Sequence, residues 1–220
     1  MVRLYLFDLI LYLLMVALIW ITPDSEKLIA YMARVSSSNQ DNPNIKGLLK
    51  YCIKHGHWSI FEMCNMCIEI NTTRVISSQI LRHRSFSFQE FSQRYAKVEK
   101  KPDYFDLRRQ DLKNRQNSID DLCDETKKKL YNSIRMTLVD IDRCYQGLLN
   151  DGVAKECARM ILPMCSPTKM YMSGSIRSWI HYLQVRCDPS TQKEHRDIAL
   201  QIKEIFKKEL PIIYEACFKD

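Results

Sequence analysis

One fourteen-residue stretch, from Arg82 to Tyr95, restricts the fold and the chemistry of this chain more than any other. It combines three arginines, one histidine, one glutamate, three serines and three phenylalanines, without a helical or strand period that separates polar from apolar side chains. A surface loop would expose the phenylalanines, whereas a buried segment would have to pair several charges. A ligand that is both anionic and aromatic satisfies both kinds of side chain. A nucleotide is such a ligand, because arginine forks bind phosphate oxygens bidentately.

The composition is typical of one globular domain with a substantial core. The chain has 220 residues, of which 46% are hydrophobic and 27% are charged. Its net charge of +7 favours anionic partners, which include nucleotides, phosphorylated cofactors, nucleic acids and acidic lipids, and does not choose among them. The nine cysteines follow no regular framework, so we expect free thiols in a reducing compartment.

One pair of cysteines, Cys64 and Cys67, has the spacing of a redox or zinc motif. The pair lies in an alternating run in which Met66, Ile68 and Ile70 share one face. Residues three apart in a strand point to opposite sides, and no second pair of cysteines or histidines stands at zinc-binding spacing. We therefore expect two buried structural thiols and no metal site.

The segment from Leu4 to Ile21 is apolar apart from Asp8 and two tyrosine hydroxyls. Its eighteen residues reach the lower limit of a membrane span, about 17–25 residues. Two interpretations follow: a core strand with a turn, or a membrane anchor. The first 21 residues are thus separated from a domain over 22–220, which we expect in the cytoplasm, with a membrane tether as the alternative.

The rest of the chain alternates helical and strand patterns. Thr22 is expected to cap a first helix with Pro23 at its first position, and Gly56 is expected to stop a second helix. The remaining predicted elements are a strand over 63–70, a helix starting at 71–73 that ends in a loop at 82–95, a loop over 97–120, helices over 122–149 and 153–163, a strand over 169–173, and helices over 175–186 and 191–210.

Three groups of residues keep more than one interpretation at this point. His55 and His57 are either ordinary solvated and packed side chains or a metal pair. Arg159, on a short apolar helix, either pairs with Glu156 or an aspartate, or binds a ligand phosphate. The lysines at 127–129 fit a solvated helix face better than a nucleic-acid patch.

Four separated motifs, in order along the chain, resemble those of the flavin-dependent thymidylate synthases. The first is His57-x-Ser59-x-Phe-Glu, and the second is Arg-His-Arg at 82–84, seven residues and then Ser92, continuing Gln-Arg-Tyr. The third is the Ala-Arg-x-x-Leu-Pro run around Arg159, and the fourth is the Val-Arg that ends at Arg186. The resemblance spans roughly residues 24–215. Gln89 and His181 stand where many family members carry asparagine.

The resemblance implies a fold and a reaction. The fold is of the α/β (α+β) class, with a central, mostly antiparallel sheet and long flanking helices. The reaction moves a one-carbon unit from methylenetetrahydrofolate to C5 of dUMP, and FAD reduced by NADPH supplies the hydride that completes the methyl group of dTMP. The family works as a homotetramer with shared active sites. The partners implied are therefore dUMP, the folate and further copies of the chain, and no nucleic acid.

The resemblance also implies which residues form the site. The catalytic residues are Arg186, which polarises the pyrimidine ring, and Ser92, which we expect to position the substrate rather than attack it. The residues implied to bind dUMP are Gln79, Arg82, Glu90, Phe91, Ser92, Gln93, Arg94, Arg159 and Arg186. The residues implied to bind FAD are Ser36, His57, Ser59, Arg82, His83, Arg84, Ser85, Glu90, Ser175, Arg177 and His181.

Two functions from other classes compete with this interpretation. A single-stranded nucleic-acid binding module would stack bases on the aromatic residues Phe86, Phe88, Phe91 and Tyr95 among basic side chains. A membrane-tethered nucleotide-binding protein without catalysis would use the apolar N-terminal segment as its anchor.

Overall fold

The computed structural model describes residues 15–99 and 105–218. Within these ranges the helices are α1 (Ser25–Ala33), α2 (Lys46–Lys54), α3 (Arg74–Ile80), α4 (Asp124–Asn150), α5 (Lys155–Ala158), α6 (Ile176–Arg186), α7 (Lys193–Glu209) and α8 (Pro211–Phe218). Two short 3-10 helices cover Ser59–Glu62 and Arg159–Ile161. The strands are β1 (Val16–Ile21), β2 (Asn65–Thr73), β3 (Ser87–Glu90), β4 (Arg109–Gln110), β5 (Ser118–Ile119) and β6 (Pro167–Ser175).

The strands form two sheets. Four of them make one sheet in the order β1-β2-β6-β3, and β4 pairs with β5 in a separate two-stranded sheet. Both β1–β2 and β4–β5 are antiparallel. The expected mixed class, an antiparallel sheet combined with long helices, is confirmed.

The chain divides into two compact units, which we describe separately. Unit 1 comprises Met1–Ile70, Ile80–Gln89 and Met170–Asp220, and unit 2 comprises Asn71–Gln79 and Glu90–Lys169. Unit 1 thus contains α1, α2, α6, α7 and α8, and unit 2 contains α4 and α5.

The core of unit 1 lies between strand residues and helix α6. Met66, Ile68 and Ile70 of β2 are fully buried, as their alternation predicted. The indole Nε1 of Trp179 on α6 donates to the carbonyl of Met66 at 3.0 Å, so the helix is fastened to the strand by a buried hydrogen bond. Cys64 and Cys67 are buried free thiols, which confirms their structural interpretation.

Helix α2 ends at Gly56 as predicted. Gly56 has a positive φ of 70°, which glycine adopts without steric cost. Its N–H donates to the carbonyl of Ile53 at 3.2 Å, and the N–H of His57 donates to Cys52 at 2.8 Å. These two bonds form a Schellman motif, which turns the chain sharply and places His57 directly after the helix.

The N-terminal segment contributes a strand. Residues 16–21 form β1, which pairs with β2 through Val16 and Ile70 at one end and Ile21 and Met66 at the other. The interpretation of residues 16–21 as part of a membrane span is therefore wrong, because their backbone is paired with β2 in the sheet. The first part of the predicted segment, residues 4–14, lies outside the described residues. Across the ranges that the structure describes, no helix has both the length and the apolar character to cross a membrane.

Unit 2 is organised around the long helix α4. Its buried residue Tyr145 packs with Val98 and Ala158 in a small apolar cluster, and the Tyr145 hydroxyl accepts the Val98 N–H at 3.2 Å. The helix begins and ends within two residues of its predicted bounds. The cluster ties the chain after the arginine-rich stretch to α4 and α5.

The predicted cap of α1 is wrong, and the helix α8 was not predicted. Thr22 does not cap α1; the N-cap is Asp24, with a positive φ of 51°, because the Thr22 hydroxyl instead accepts the Asn65 N–H at 3.0 Å. The helix predicted over 191–210 is α7, which ends at Glu209. The helix α8, which was not predicted, begins at Pro211, because proline suits the first helical position. The Glu26 carboxylate accepts the N–H groups of Ile212 and Ile213, both at 2.8 Å.

Three predicted loop or helix segments contain strands instead. Residues 71–73 continue β2, in keeping with the strand preference of the two threonines. Residues 87–90 of the arginine-rich stretch form β3, which pairs beside β6, so sheet pairing overrides the missing period. Within 97–120, the described residues include the β4–β5 hairpin, whose turn is held by Asp111 through the N–H groups of Lys113 and Asn114, at 2.8 and 3.2 Å.

Candidate functional site

A hydrogen bond between Arg186 and His83 is the central feature of the candidate site in unit 1. Arg186 is the last residue of α6, and its Nε donates to His83 Nε2 at 2.8 Å. An acceptor nitrogen must be unprotonated, so His83 is neutral with its proton on Nδ1. Burial, together with the charges of Arg186 and His181, lowers the pKa of His83 to about 4. The bond therefore persists at neutral pH and orients the Arg186 guanidinium.

Three other predicted flavin residues organise the start of α6. Ser175 is its N-cap and accepts the Ser178 N–H at 3.3 Å. The Ser178 hydroxyl donates to the carbonyl of Ser85 at 3.2 Å, which links the helix to the arginine-rich stretch. Arg177 forms an ion pair with Glu62, so the last residue of the His57 motif holds an arginine of α6.

The remaining predicted flavin residues present exposed polar side chains. Within the described part of unit 1, no hydrogen bond or ion pair engages these side chains: Ser36, His57, Ser59, Arg82, Arg84 and His181. Two guanidiniums without a carboxylate partner are a suitable donor set for phosphate oxygens. The exposed imidazoles and hydroxyls can hydrogen-bond to the polar edge of a ring.

Glu90 holds two neighbouring side chains in place in the candidate site of unit 2. Its Oε1 accepts from Arg74 Nη1 at 2.6 Å and from the Thr168 hydroxyl at 2.9 Å. Its side chain is 14% exposed, so this ion pair is largely shielded from water. Both bonds go to one oxygen, and Oε2 has no partner among the described residues. Glu90 therefore fixes the local geometry and leaves Oε2 available as a hydrogen-bond acceptor.

Residues 91–96 form a tight turn that carries Ser92 and Arg94. The Phe91 N–H donates to the carbonyl of Lys169 at 2.9 Å, and the Ser92 carbonyl accepts the N–H groups of Tyr95 and Ala96 at 3.2 and 3.0 Å. The Ser92 hydroxyl has no hydrogen-bond partner among the described residues. None of the five histidines of the sequence belongs to unit 2, so no imidazole of this unit can serve Ser92 as a base.

Two arginines of unit 2 have the character of phosphate ligands. Arg94 Nη2 and Nε both lie 3.2 Å from Glu156 Oε2, and both side chains are about half exposed, so the pair contributes little stability and can exchange for an anion. Arg159 lies in the 3-10 helix after α5 and has no ion pair within the described residues. The expected alternative, a pair between Arg159 and Glu156, is wrong because Glu156 is bound to Arg94.

The two amide residues predicted to contact the nucleotide differ in their surroundings. Gln93 is 7% exposed, and its Nε2 is buried without a hydrogen-bond partner among the described residues. A buried donor without a partner costs about 1–3 kcal/mol, which a ligand acceptor or a water would recover. Gln79, on α3, is partly buried.

The arginine-rich stretch does not form a stacking platform. Phe86 is buried against Trp179 with ring centroids 4.8 Å apart, and Phe88 is partly buried. Phe91 and Tyr95 remain exposed. Two of the four aromatic residues on which the nucleic-acid interpretation depends are therefore used by the core of the protein.

Sequence reasoning missed several residues that shape both candidate sites. Arg74 and Thr168 hold Glu90, and Tyr182 with His195 form a buried polar pair behind His83. The alternation of β6 could have identified Thr168 as a buried residue, because it shares a face with Met170 and Met172. Nothing local in the sequence signals Arg74 or His195, since their partners lie far along the chain. Within the described residues, no cluster of three potential ligands could hold a metal ion.

Comparison with known proteins identifies relatives over most of the chain. The family described as "Thymidylate synthase complementing protein" matches residues 17–212. A flavin-dependent thymidylate synthase from Synechocystis sp. is 57% identical over 192 residues, which cover 87% of this chain and 88% of that protein. A probable flavin-dependent thymidylate synthase from Paramecium bursaria Chlorella virus 1 is 51% identical over 194 residues, covering 87% of this chain and 90% of the relative.

Solved structures agree with this assignment at the level of the fold. The UMP/dUMP methylase PolB from Streptomyces cacaoi, crystallised with 5-Br UMP, superimposes with a TM-score of 0.80 at 26% identity, covering 91% of this chain and 92% of that one. Its structure with 5-Br dUMP gives a TM-score of 0.79 at 24% identity, over 91% and 93% of the two chains.

Proposed function

The chain belongs to the flavin-dependent thymidylate synthase family, and from this premise we propose how its own residues carry out the reaction. The protein is an FAD-dependent methyltransferase that converts dUMP to dTMP. Methylenetetrahydrofolate is the carbon donor and NADPH the reductant in the reaction that family membership implies. The alternative of a nucleic-acid binding module is not supported by any of the relatives.

The donor set of unit 1 fits FAD. Arg82 and Arg84 would bind its phosphates, because their guanidiniums are exposed and free of carboxylates in the described structure. His57, Ser59 and His181 would hold the polar edge of the isoalloxazine ring. When bound, the flavin supplies the hydride that completes the methyl group, and the protein supplies binding and orientation. Arg177 forms a half-exposed ion pair with Glu62, so it would exchange that partner for a cofactor anion in the same way as Arg94.

The residues of unit 2 fit the sugar and phosphate of dUMP. Arg94 and Arg159 would bind the phosphate, and Glu156 would release Arg94 when the anion arrives. The Ser92 hydroxyl and Oε2 of Glu90 would hydrogen-bond to sugar or phosphate oxygens. We propose a positioning role for Ser92, because no hydrogen bond within the described residues joins its hydroxyl to a base.

Arg186 carries the chemical role in this proposal. A guanidinium facing the uracil ring stabilises negative charge on N3 and the adjacent carbonyl, which makes C5 more nucleophilic. The bond from Arg186 Nε to a neutral His83 is the single observation that supports this role most. It fixes the guanidinium through one nitrogen and leaves the two terminal nitrogens for the ring.

A homotetramer with shared active sites is the assembly we propose. One side of the 27-residue helix α4 carries an apolar stripe that includes Leu130, Ile134 and Tyr145. Tyr145 is buried, whereas Leu130 is 42% exposed. A long amphipathic helix normally buries its stripe against another surface, and a second copy of the chain is the partner that the family implies. We further propose that residues 22–220 act as one catalytic domain.

The function is tested by a visible absorption spectrum followed by turnover. Purified protein should carry, or be reconstituted with, FAD that bleaches when NADPH is added anaerobically, and dUMP with methylenetetrahydrofolate should then give dTMP. Arg159→Gln should raise the KM for dUMP, with the flavin content unchanged. A protein that cannot be loaded with FAD, or that bleaches without ever forming dTMP, would contradict the proposal.

A further inference from the structure

Two fully buried polar side chains lie behind His83 and have no part in the chemistry described so far. Tyr182 on α6 and His195 on α7 are both 0% exposed. The Tyr182 hydroxyl and His195 Nε2 are hydrogen-bonded at 3.1 Å. A buried hydroxyl and a buried imidazole are costly unless each finds a partner. Here they partner each other across two helices.

The buried pair is connected to Arg186 through His83. The Tyr182 ring meets the His83 imidazole edge-on, with centroids 4.9 Å apart and planes at 74°. The His195 ring lies 6.3 Å from that of His83 at 88°. His83 in turn accepts the Arg186 Nε–H. The position of the acceptor for Arg186 therefore depends on a ring that a hydrogen bond fastens to the neighbouring helix.

We propose that Tyr182 and His195 are positioning residues for the methylation reaction, which shield one side of the His83 ring from water and keep the ring oriented as the neutral acceptor of Arg186. The inference rests on the proposed function, since it takes Arg186 as the group that polarises the uracil ring. Their effect on the reaction is indirect, because neither residue touches the substrate and both act through His83.

The charges around His83 explain why its protonation state matters. The groups that face it are Arg186, His181 and Tyr182 from α6, and His195 from α7. Burial and Arg186 also lower the pKa of His195, to about 3, and burial raises the pKa of Tyr182. No group in this set is an anion that would stabilise an imidazolium. A protonated His83 could not accept the Arg186 Nε–H and would repel the guanidinium.

A packing role alone predicts a different outcome from a positioning role. Tyr182→Phe keeps the ring that contacts His83 but removes the bond to His195. The His195 Nε2 that loses the Tyr182 hydroxyl then attracts water, and less dehydration of His83 raises its pKa from about 4 towards the ordinary value of about 6.5. His195→Leu should act in the same way, whereas His195→Gln can still hydrogen-bond to Tyr182 and should act less.

The first test is the pH profile of kcat between pH 5 and 9. For the wild-type protein we expect no fall attributable to His83 between pH 8 and pH 6. For Tyr182→Phe and His195→Leu we expect a fall of up to about fourfold over that interval, with His195→Gln in between. Tyr214→Phe is the matched control, because Tyr214 lies on α8 outside this network, and its profile should follow that of the wild type.

The second test does not need turnover. The chain has five histidines, so selective ¹³C labelling of the imidazoles gives few signals, and His83→Gln identifies the one from His83. The His83 signal should titrate at higher pH in Tyr182→Phe than in the wild type. An unchanged titration, or an equal loss of kcat at every pH, would overturn the proposal. A wild-type protein that forms no dTMP would count against the proposed function alone, because the titration still tests the positioning role.

Discussion

At the scale of single residues, the candidate site depends on which arginines are neutralised by a carboxylate within the fold and which are not. Arg74 is paired with Glu90, whose side chain is largely buried, and this pair neutralises Arg74 within the fold. Arg186 is bound to a neutral imidazole instead, so it keeps its full charge while being held in place. This difference separates arginines that build the protein from one that is ready to act on a ligand.

We expect Arg186→Gln to lower kcat by about 10²–10³-fold, the cost of removing one preorganised donor that stabilises developing charge. Flavin content should be unchanged, because the residues assigned to FAD are untouched. Turnover under saturating dUMP and folate, compared with the absorption spectrum, measures both. Arg143→Gln on α4, which removes an exposed arginine paired with Asp140, is the control. An Arg186→Gln protein with wild-type kcat would show that the guanidinium does not polarise the ring.

The buried His195 and the partly buried His83 predict a loss of stability in acid. The pKa values of His83 and His195 are lowered to about 4 and about 3, so the unfolded chain takes up protons below about pH 6.5 before the folded protein does. The free energy of unfolding should be unaffected by these groups above pH 6.5 and fall as pH drops towards 4. Each should cost roughly 1–2 kcal/mol at pH 5. Urea denaturation at pH 7.5 and pH 5 measures the fall.

A variant separates this effect from general acid denaturation. His195→Gln keeps a hydrogen-bonding side chain beside Tyr182 but does not titrate, so the difference in stability between pH 7.5 and pH 5 should shrink. A difference of the same size as in the wild type would mean that His195 is not held neutral by the fold.

How far the sequence predicted these residues depends on whether their partners are local. The arginine-rich stretch was recognisable from its residue types, whereas the His57 motif and Arg186 were recognised through their resemblance to the motifs of a known family. The pairs Arg74–Glu90, Glu62–Arg177 and Tyr182–His195 join residues that only the folded chain brings together. Spacing along the chain carries no signal for such pairs.

At the scale of secondary-structure elements, the main correction concerns β3. The stretch 87–90 lacks a strand period yet joins the sheet beside β6, while Phe86 turns inward to Trp179 and Gly174. Helix α4 and the stop of α2 were predicted within two residues, because a long apolar stripe and a glycine at a helix end are local signals. By contrast, β3 forms by pairing with a strand that is distant in the sequence, and the cap of α8 comes from Glu26. Neither feature has a local signal in the sequence.

The contact between Gly174 and Phe86 leads to a prediction about the sheet. A Cβ atom at Gly174 would lie 2.5 Å from Phe86 Cδ1 and 2.8 Å from Cε1, so Gly174→Ala must displace the ring that packs on Trp179. We expect a loss of about 1–3 kcal/mol in the free energy of unfolding. Thermal and urea denaturation measure it.

A second glycine supplies the control. A Cβ at Gly147 on α4 meets nothing within 4 Å, and alanine is the better helix former, so Gly147→Ala should stabilise by roughly 0.5–1 kcal/mol. In the double variant, adding Phe86→Leu to Gly174→Ala should recover part of the lost free energy of unfolding, since the two residues are coupled. Additive losses in that double variant would show that the ring is not what the added methyl displaces.

The edge strand β1 predicts different results for two N-terminal deletions. Removing residues 1–14 leaves β1 and the bond from the Met15 N–H to Gln201, at 3.1 Å, whereas removing residues 1–21 takes away the strand that pairs with β2. We expect the shorter deletion to keep flavin binding and turnover, and the longer one to expose the edge of β2 and aggregate. Light scattering and the flavin spectrum compare them. A soluble, active protein without residues 1–21 would show that β1 is dispensable.

At the scale of the whole molecule, the distribution of charge and apolar surface suits an enzyme for anionic substrates. The net charge of +7 attracts dUMP and the phosphorylated cofactors over a distance set by the ionic strength. Neither unit contains a glycine-rich phosphate loop, and phosphate binding is assigned to arginines from several elements. A site assembled in this way depends on the arrangement of elements more than on one loop, and an assembly of several chains can supply it.

The uncovered stripe of α4 gives the last prediction, which concerns that assembly. Leu130 is 42% exposed, and Ile134 on the same stripe is partly exposed, so an added charge at either position should be tolerated by the single chain but not by a packed interface. If the proposed tetramer forms through this stripe, we expect Leu130→Glu and Ile134→Glu to shift the protein to smaller species in analytical ultracentrifugation, with loss of flavin because the proposed active site is shared between chains. Met136→Glu is the control, because Met136 is 64% exposed and lies on the opposite side of the helix, at about 100° per residue. The Met136→Glu protein should therefore sediment like the wild type.

If all three variants sediment like the wild type, the stripe of α4 does not form the interface. If the wild type itself is an active monomer, the proposal of an active site shared between chains is wrong.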